Sequence, residues 1–302
     1  MQWLKAKIYA WISHRYMHGC SNYNDVNVRR GCRSKEQGRA KFAEGDLPHA
    51  RGLVFFNPWS AHRFAKTHGF PLVIKPNVSG YSRGSYFPIN SFTELWKAIV
   101  LAKLWWPTTV VEQYLKGANY RVVVVKGKIM SVIQRYPPFV IGNGTDSIAE
   151  LIDAENKTRE EMQLFGGMFP IQKSRQILEH LKKQGFNFSS VPTKDESVEL
   201  FFRVALAPGG VVRTVDQDSI HADNLELFLK TIDLFKANIL GVDIIFERGI
   251  EESYRHQKCI LLEVNSRPYL KMHDYPRYGE KQNLDAYYNE LDKLDVSQPD
   301  SF

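Results

Sequence analysis

An apolar segment at residues 259–265 ends with two oxygen-bearing side chains, Glu263 and Asn265, that lie two positions apart. Side chains two apart on a β-strand point to the same face, so a carboxylate and an amide oxygen would meet at one place. Arg267 follows at the same spacing and adds a positive charge. Two oxygen donors beside a cation suit a hard metal ion and the phosphate oxygens that bind to it.

A second apolar segment, residues 241–246, carries a single charge, Asp243. A carboxylate inside a buried strand must be ion-paired, metal-bound or hydrogen-bonded, because its desolvation is otherwise costly. If the two strands are neighbours, Asp243, Glu263 and Asn265 offer three oxygen ligands. Magnesium prefers a few protein oxygens completed by substrate phosphates. The pattern therefore predicts a magnesium site that also binds a phosphorylated ligand.

Lys75 ends a third apolar segment, predicted to be a strand at residues 71–75, and a loop of small residues follows it. Small residues let backbone N–H groups approach phosphate oxygens, and the lysine supplies a positive charge. Such a loop alone is most often an ordinary turn, and only its combination with the acidic cluster favours a nucleotide site. The chain has neither the GxxxxGK[ST] motif of P-loops nor a GxGxxG motif that opens a helix after a strand.

Composition limits the class of protein. The chain has 302 residues with 43% hydrophobic content, which is enough for a full core and predicts two or three lobes. Its formal net charge of +7 favours anionic ligands without forming a basic tail. Three cysteines without CxxC spacing argue against zinc and indicate a reducing cytoplasm. Residues 1–20 lack a signal-peptide core or a membrane span and instead predict an amphipathic helix, docked on its own domain, a partner or a membrane surface.

Hydrophobic periodicity predicts the elements that position these groups. We expect further strands at residues 109–115, 198–205 and 211–215, and a hairpin of residues 120–125 and 129–135. We expect helices at residues 94–104, 147–161, 172–184 and 225–240, and a polar helix from Asp285 onward. The basic run at residues 29–41 is more often a solvated face than a site.

The order of these features resembles the ATP-grasp superfamily, in particular the ATP-grasp module of the cyanophycin synthetases and, next, the fused glutathione synthetases. The resemblance covers residues 34–280. It rests on short motifs that occur in one order, at residues 47–52, 73–76, 83–84, 111–117, 120–121, 137–138, 141–145, 184–185, 190–192, 209–210, 221–224, 241–243, 263–265 and 272–276.

The resemblance implies an α+β or α/β chain with the ATP-grasp fold, in which two lobes with mainly antiparallel sheets clamp ATP. Residues 1–33 would form the N-terminal helix and a basic linker, and residues 34–290 the ATP-grasp domain. Within that domain we expect a first lobe at 34–111 and a second at 112–290, with a helical insert at 147–190. Residues 291–302 would be a tail.

The resemblance also implies site residues. Phosphate or other nucleotide contacts are expected from Arg39, Lys75 and Arg83, and backbone contacts to adenine from Glu112, Gln113, Tyr114 and Leu115. Asn119 stands where many members have an acidic residue on the ribose. Asp243, Glu263 and Asn265 are the expected ligands of one or two Mg²⁺ ions, for which Mn²⁺ can substitute. Arg121 should contact substrate carboxylate or phosphate, Arg267 should neutralise the transferring phosphoryl group, and His273 should form a supporting hydrogen bond.

The implied activity is an ATP- and magnesium-dependent carboxylate–amine ligase. It would join amino acids or small peptides through an acyl phosphate and release ADP and phosphate. Phosphoryl transfer relies mainly on cations and metal, so it needs no activated serine or cysteine. The second half and front domain of the cyanophycin synthetases have no counterpart in this sequence, which leads us to expect a ligase that forms a single bond.

Two alternatives stay open. Residues 78–82 lack most of the glycines and the acidic residue of the cyanophycin enzymes, and residues 203–209 are shorter, so the chain could be a nucleotide-binding scaffold or regulatory subunit without turnover. Nucleic-acid binding through residues 29–41 rests on charge alone. The expected partners are amino-acid or peptide substrates, with no nucleic acid and no membrane span. A homo-oligomer and a separate partner protein both stay open.

Overall fold

The computed structural model describes residues 23–32, 34–77 and 84–293. The predicted N-terminal helix, the predicted nucleotide contact Arg83 and the loop at 78–82 lie outside these residues. Among the described residues, every helix is too short or too polar to cross a bilayer.

Two helices, α1 (Val26–Gly31) and α2 (Lys35–Glu44), precede the first strand. The Ser34 hydroxyl accepts a hydrogen bond from the Gln37 amide and so caps the first turn of α2. Helix α2 lies within the basic run whose charge pattern favoured a solvated face. It has a buried side, because Phe42 packs in the same core as the sheet of the second lobe.

The first lobe is a four-stranded antiparallel sheet with the strand order β1-β4-β2-β3. Its strands and covering helices are β1 (Gly52–Phe55), α3 (Pro58–His68), β2 (Leu72–Pro76), β3 (Tyr86–Ile89), α4 (Phe92–Lys103) and β4 (Thr109–Gln113). Leu72, Ile74 and Val111 pack against α3 and α4 in one core. Because strand side chains alternate, Lys75 and Glu112 lie on the opposite face, toward α2.

The second lobe is a five-stranded antiparallel sheet with the order β11-β10-β5-β6-β9. Its elements are β5 (Ala118–Val125), β6 (Lys128–Tyr136), β9 (Val211–Thr214), α7 (Ala222–Phe235), β10 (Ile239–Phe246) and β11 (Cys259–Asn265). Val122, Val242 and Phe228 belong to the core between this sheet and α7. The alternation of β5 therefore directs Asn119, Arg121 and Val123 to the other face.

That other face has an apolar half and a polar half. Val123, Ile239, Leu270 and Leu284 form the apolar core, which is covered by the C-terminal segment with α8 (Lys271–Asp274) and α9 (Asp285–Asp292). The polar half lies toward the ends of the strands that carry the predicted metal ligands, so the sheet itself positions the candidate site.

A small insert connects β6 to β9. It consists of β7 (Phe139–Ile141), α5 (Ile148–Glu161), a 3-10 turn (Leu164–Gly166), α6 (Arg175–Lys183) and β8 (Ser197–Glu199). A capping box between Ser147 and Glu150 begins α5. Val140, Ile152 and Leu181 pack in a core of their own. A second 3-10 turn, Gln217–Ser219, follows β9.

Most predicted elements are present with shifted ends, but the predicted strand at 198–205 is wrong. Strand β8 ends at Glu199, and the chain then turns, with hydrogen bonds from the Ala205 amide to the Arg203 carbonyl and from the Gly210 amide to the Ala205 carbonyl. The apolar residues there belong to a loop that packs on neighbouring elements. The lobe boundaries stay a prediction, although α2, placed with the first lobe by sequence, packs in the core of the second.

Asn24 ties the start of the described chain to the second sheet. Its Nδ2 donates to the carbonyls of Ile239 at 2.6 Å and Ser266 at 2.8 Å. Its Oδ1 accepts from the amides of Asn238 and Ile239 at 2.8 and 3.2 Å. Asn24 is 1% exposed, so these four hydrogen bonds are shielded from water.

We expect Asn24→Ala to lower the free energy of unfolding by about 3 kcal/mol, because it leaves buried backbone groups without partners. Urea denaturation would measure the change. The exposed Asn27 provides a matched control, and Asn27→Ala should stay within about 0.5 kcal/mol of the parent protein. Equal losses in the two variants would contradict the assigned role of Asn24.

Candidate active site

A row of charged residues crosses three strands on the polar face of the second sheet. In the antiparallel register Asp243 of β10 lies opposite Glu263 of β11 on one side and opposite Arg121 of β5 on the other. Directly opposed residues share a face of the sheet. Gly241 lies opposite Asn265, so the predicted ligands Asp243, Glu263 and Asn265 are neighbours on this face. Their metal-binding role stays a prediction.

The Asp243 carboxylate forms ion pairs with two guanidinium groups. Arg121 donates to it through Nε at 2.6 Å and Nη2 at 2.7 Å, and Arg135 of β6 donates through Nη2 at 3.0 Å. Arg135 also donates to the side-chain oxygen of Asn119 at 2.9 and 2.7 Å. The two guanidinium charges exceed the charge of Asp243, and the carboxylate of Glu263, opposite Asp243 in the sheet, balances the remainder.

The two arginines also decide the protonation state of Asp243. Burial raises the pKa of this carboxyl group, but the charges and hydrogen bonds of Arg121 and Arg135 outweigh burial and lower the pKa to about 2. Asp243 is therefore ionised throughout the physiological range, as a metal ligand must be.

His273 lies next to this cluster on α8. Its Nδ1 lies 2.9 Å from the hydroxyl of Ser131, and the ring is almost completely buried. Burial and then the charges of Arg121 and Arg135 lower the pKa of His273 to about 3. The imidazole is thus neutral at pH 7, which agrees with the expected hydrogen-bonding role and does not suit a proton donor.

The oxygen donors fit a magnesium ion. Glu263 has a side chain that is 37% exposed, and among the described residues it forms an ion pair with Lys35, at 3.9 Å. Asp243 keeps lone-pair capacity, because its Oδ1 accepts one of the three hydrogen bonds and its Oδ2 two. Two carboxylates and one amide are a small ligand set, which suits a metal that arrives with phosphate oxygens.

A second carboxylate-centred cluster lies on the facing side of the first lobe. Lys75 of β2 lies 2.5 Å from the Glu112 carboxylate, and Arg39 of α2 lies 3.1 Å from it. Gly52 lies opposite Glu112 in the sheet, and a Cβ atom there would come within 2.5 Å of Glu112 Cγ. The glycine therefore leaves the room that the Glu112 side chain needs. Lys75 and Arg39, the two predicted phosphate contacts, are thus brought together.

Lys35, one helical turn before Arg39, lies between the two clusters. It forms the ion pair with Glu263 of the second lobe and interacts electrostatically with Lys75 and Glu112 of the first. Burial, followed by the charge of Lys75, lowers the pKa of Lys35, and the two carboxylates oppose this shift. Lysines that remain close to one another need a nearby anion to offset their repulsion.

The predicted adenine-binding segment leaves β4 and connects the two lobes. The amides of Gln113 and Tyr114 donate to the carbonyls of Arg51 and Pro71, both at 3.0 Å. The Tyr114 ring stacks on Phe87 with centroids 6.0 Å apart. Two of the predicted backbone donors are therefore used within the first lobe.

Leu115 is the next residue of this segment. Among the described residues, its amide has no backbone hydrogen-bond partner. The adenine contacts of the segment stay a prediction.

The other predicted residues have mixed outcomes. Asn119 uses its side-chain oxygen for Arg135, so a ribose contact would have to use its amide group. Glu112 contributes a buried side chain rather than only its backbone. Arg267 follows β11 and has a buried Nε atom. The catalytic and nucleotide-binding roles of these residues stay predictions.

Sequence reasoning missed Lys35 and Arg135. Lys35 and Arg39 are four residues apart, the spacing of neighbours on one helix face, and a predicted helix at this place would have indicated them as a pair. Arg135 pairs with Asn119 across the predicted hairpin. Extending the register of that hairpin would have placed Arg135 on the face of Arg121.

No protein-family model matches the chain. The chain is 31% identical over 266 residues to the cyanophycin synthetase of Geminocystis herdmanii, and the alignment covers 86% of this chain and 30% of the relative. The chain thus spans about 30% of the length of the curated relatives that it matches.

Among solved structures, the bifunctional glutathione synthetase from Pasteurella multocida matches with a TM-score of 0.64 and 22% identity, over 89% of this chain and 38% of that one. The ATP-grasp ligase PsnB, solved with a minimal precursor, matches with a TM-score of 0.50 and 13% identity, over 89% of this chain and 62% of that one. At these identities the likeness concerns the fold, and it confirms the expected fold class.

We expect Glu112→Gln to lower the free energy of unfolding by about 3 kcal/mol, because two buried cations lose their carboxylate. The double variant Glu112→Gln with Lys75→Met should recover part of this loss, since one of the stranded cations is then absent. Urea denaturation of the four proteins gives the coupling energy. Strictly additive losses would contradict the ion pair between Lys75 and Glu112.

We expect Asp243→Asn to cost about 3–5 kcal/mol at pH 7, because both guanidinium groups lose a buried counter-ion. The folded-state pKa of about 2 lies below the ordinary value of 3.8. The carboxylate therefore stabilises the fold above pH 3.8, and this contribution is lost as the pH falls through 2. The difference between the two proteins should shrink over that window in urea denaturation.

The exposed Asp233 of α7 is the control for this experiment. Asp233→Asn should differ little from the parent protein at any pH. A difference between Asp243→Asn and the parent that did not change with pH would be inconsistent with a lowered pKa.

Proposed function

The chain belongs to the ATP-grasp superfamily, and on that basis we propose that it is an ATP- and magnesium-dependent ligase that joins a carboxylate to an amine. The substrates are amino acids or small peptides, and the product is an amide or peptide bond. The names of two curated relatives, a cyanophycin synthetase and a glutathione biosynthesis bifunctional protein, support this reaction class.

The observation that carries the proposal is the placement of two cation-rich clusters, one on each lobe. Glu112 is shared by Lys75 and Arg39, and Asp243 is shared by Arg121 and Arg135. Together with the ion pair between Lys35 and Glu263, the two clusters hold five cations and three carboxylates. A polyphosphate between the lobes would be attracted to both clusters at once.

The proposed reaction has two steps, and its reacting groups come from the substrates and from solvent. A carboxylate oxygen of the acid attacks the γ-phosphorus, the bond to ADP breaks, and an acyl phosphate forms. The amine nitrogen then attacks the acyl carbon, phosphate leaves, and the amine loses a proton to solvent. Little covalent chemistry is asked of the protein, so positioned positive charge supplies the main stabilisation.

The proposed nucleotide contacts and substrate contacts come from different lobes. Lys75 and Arg39 would hold the phosphates of the nucleotide. Arg121, oriented by its two hydrogen bonds to Asp243, would contact the acid or the acyl phosphate. Arg267 would neutralise the phosphoryl group during transfer.

Asp243, Glu263 and Asn265 would hold magnesium, which when bound neutralises phosphate oxygens and fixes their geometry.

The identity of the acid and amine substrates is less closely indicated, because the loops that form substrate pockets differ most between members of a superfamily. Which acid and which amine are joined is therefore a question for the assay.

The function is tested by incubating the protein with ATP, magnesium and a panel of acid and amine pairs. ADP should form only when both partners are present, and mass spectrometry should find the condensed product with the loss of one water. Nucleotide binding with no turnover under any mixture would instead support a scaffold or regulatory role. Absence of ATP binding in calorimetry would rule out both functions.

A variant at the metal site makes this test specific. Glu263→Gln should lower phosphoryl transfer about a hundredfold or more, because one charged metal oxygen is lost. ATP affinity measured in EDTA should not fall, since the base is bound elsewhere. Glu247→Gln, at an exposed carboxylate just after β10, should keep full activity. Full activity in Glu263→Gln would mean that the metal site lies elsewhere.

A further inference from the structure

Helix α2 is attached to both lobes. Phe42, near its C-terminal end, packs in the core of the second lobe and contacts the ring of Phe235 with centroids 5.9 Å apart. At its N-terminal end, the Lys35 amide donates to the Asn77 carbonyl at 3.4 Å and the Glu36 amide to the Asn77 side chain at 3.3 Å. Asn77 follows β2 of the first lobe, so the first turn of α2 lies at the junction of the lobes.

The two cations on one face of this helix pair with different lobes. Arg39 contacts Glu112 of the first lobe at 3.1 Å, and Lys35 lies 3.9 Å from Glu263 of the second. Lys35 is only 11% exposed, whereas Glu263 is 37% exposed. Lys35 is therefore held close to a carboxylate that remains accessible from solvent.

A metal ion and Lys35 compete for Glu263. A magnesium ion binds carboxylate oxygen at about 2.0–2.1 Å, and an ammonium group 3.9 Å from the same oxygen would then face a divalent cation at close range. The repulsion favours movement of the lysine. The next carboxylate, Glu112, is already shared by Lys75 and Arg39, so an incoming phosphate oxygen is the better acceptor.

We propose that Lys35 is an exchangeable counter-ion of Glu263, which neutralises this carboxylate before metal binds and moves to a nucleotide phosphate when a divalent ion takes its place. The exchange rests on the proposed function and adds a positioning residue to it. Metal binding frees Lys35 for a nucleotide phosphate, and transfer of Lys35 to that phosphate frees Glu263 for the metal. Each ligand therefore favours binding of the other. Lys35 also links this exchange to the junction of the lobes through α2.

The exchange predicts changes of opposite sign in Lys35→Met. Without nucleotide, Mn²⁺ should bind about two- to fivefold more tightly, because it no longer displaces a partly exposed ion pair. With saturating Mg²⁺, ATP should bind about tenfold more weakly, because a charge-assisted contact is lost. Electron paramagnetic resonance of free Mn²⁺ measures the first affinity, and calorimetry with saturating Mg²⁺ measures the second.

Two variants serve as controls. Lys41→Met removes a partly exposed lysine of the same helix, which pairs with Glu44 at 3.1 Å, and should change neither affinity. Lys35→Arg keeps the positive charge and should return both affinities toward the parent values. Weaker binding of both ligands in Lys35→Met would indicate a merely structural role and would overturn the exchange.

The experiment separates this inference from the proposed function. If the parent protein binds neither Mn²⁺ nor ATP, the proposed function fails and the exchange fails with it. If the parent binds both and Glu263→Gln loses Mn²⁺, the metal site stands. An unchanged Mn²⁺ affinity in Lys35→Met would then reject the exchange alone.

Discussion

The burial of Asp243 is the constraint on which the second lobe depends. An ionised carboxylate inside a sheet is tolerated only where opposite charges and hydrogen bonds offset its desolvation. Arg121 satisfies that requirement because the register places it directly opposite Asp243 on the neighbouring strand. A slip of one residue would turn the carboxylate into the core beneath α7. The ion pair and the strand register therefore specify one another, and together they fix the face on which Glu263 and Asn265 stand.

The same compensation explains why the two clusters suit an anion. In each, one carboxylate orients two cations, and with the ion pair of Lys35 and Glu263 the positive charges of the two clusters together outnumber the negative ones. The carboxylate thus acts as a support that holds positive groups close together despite their repulsion. Pre-organised charge of this kind needs little reorganisation when a phosphate binds, which is the property that phosphoryl transfer requires. Gly52 has a part in this arrangement, since only the absence of a side chain leaves room for Glu112.

Strand alternation made part of the site predictable from sequence. The neighbourhood of Asp243 and Glu263 follows from two apolar strands with one charge each at matching positions, and the pairing agrees with it. The partners of Asp243 were harder to predict, because apolar patterning does not say which arginine on a neighbouring strand will lie opposite a given carboxylate. Arg135 is two strands away from Asp243 and depends on a register that no short motif specifies.

Helix α2 was misjudged for a related reason. Its sequence, residues 35–44, is rich in charge and has a single large apolar side chain, Phe42, so periodicity gave no strong helix signal. Its place was decided by tertiary contacts: Phe42 in the core of the second lobe, and Asn77 at the first turn. A helix held at its two ends by different lobes cannot be assigned to either one by sequence division. Lys35 and Arg39, one helical turn apart, pair with carboxylates of different lobes, so the charged face of α2 spans the junction.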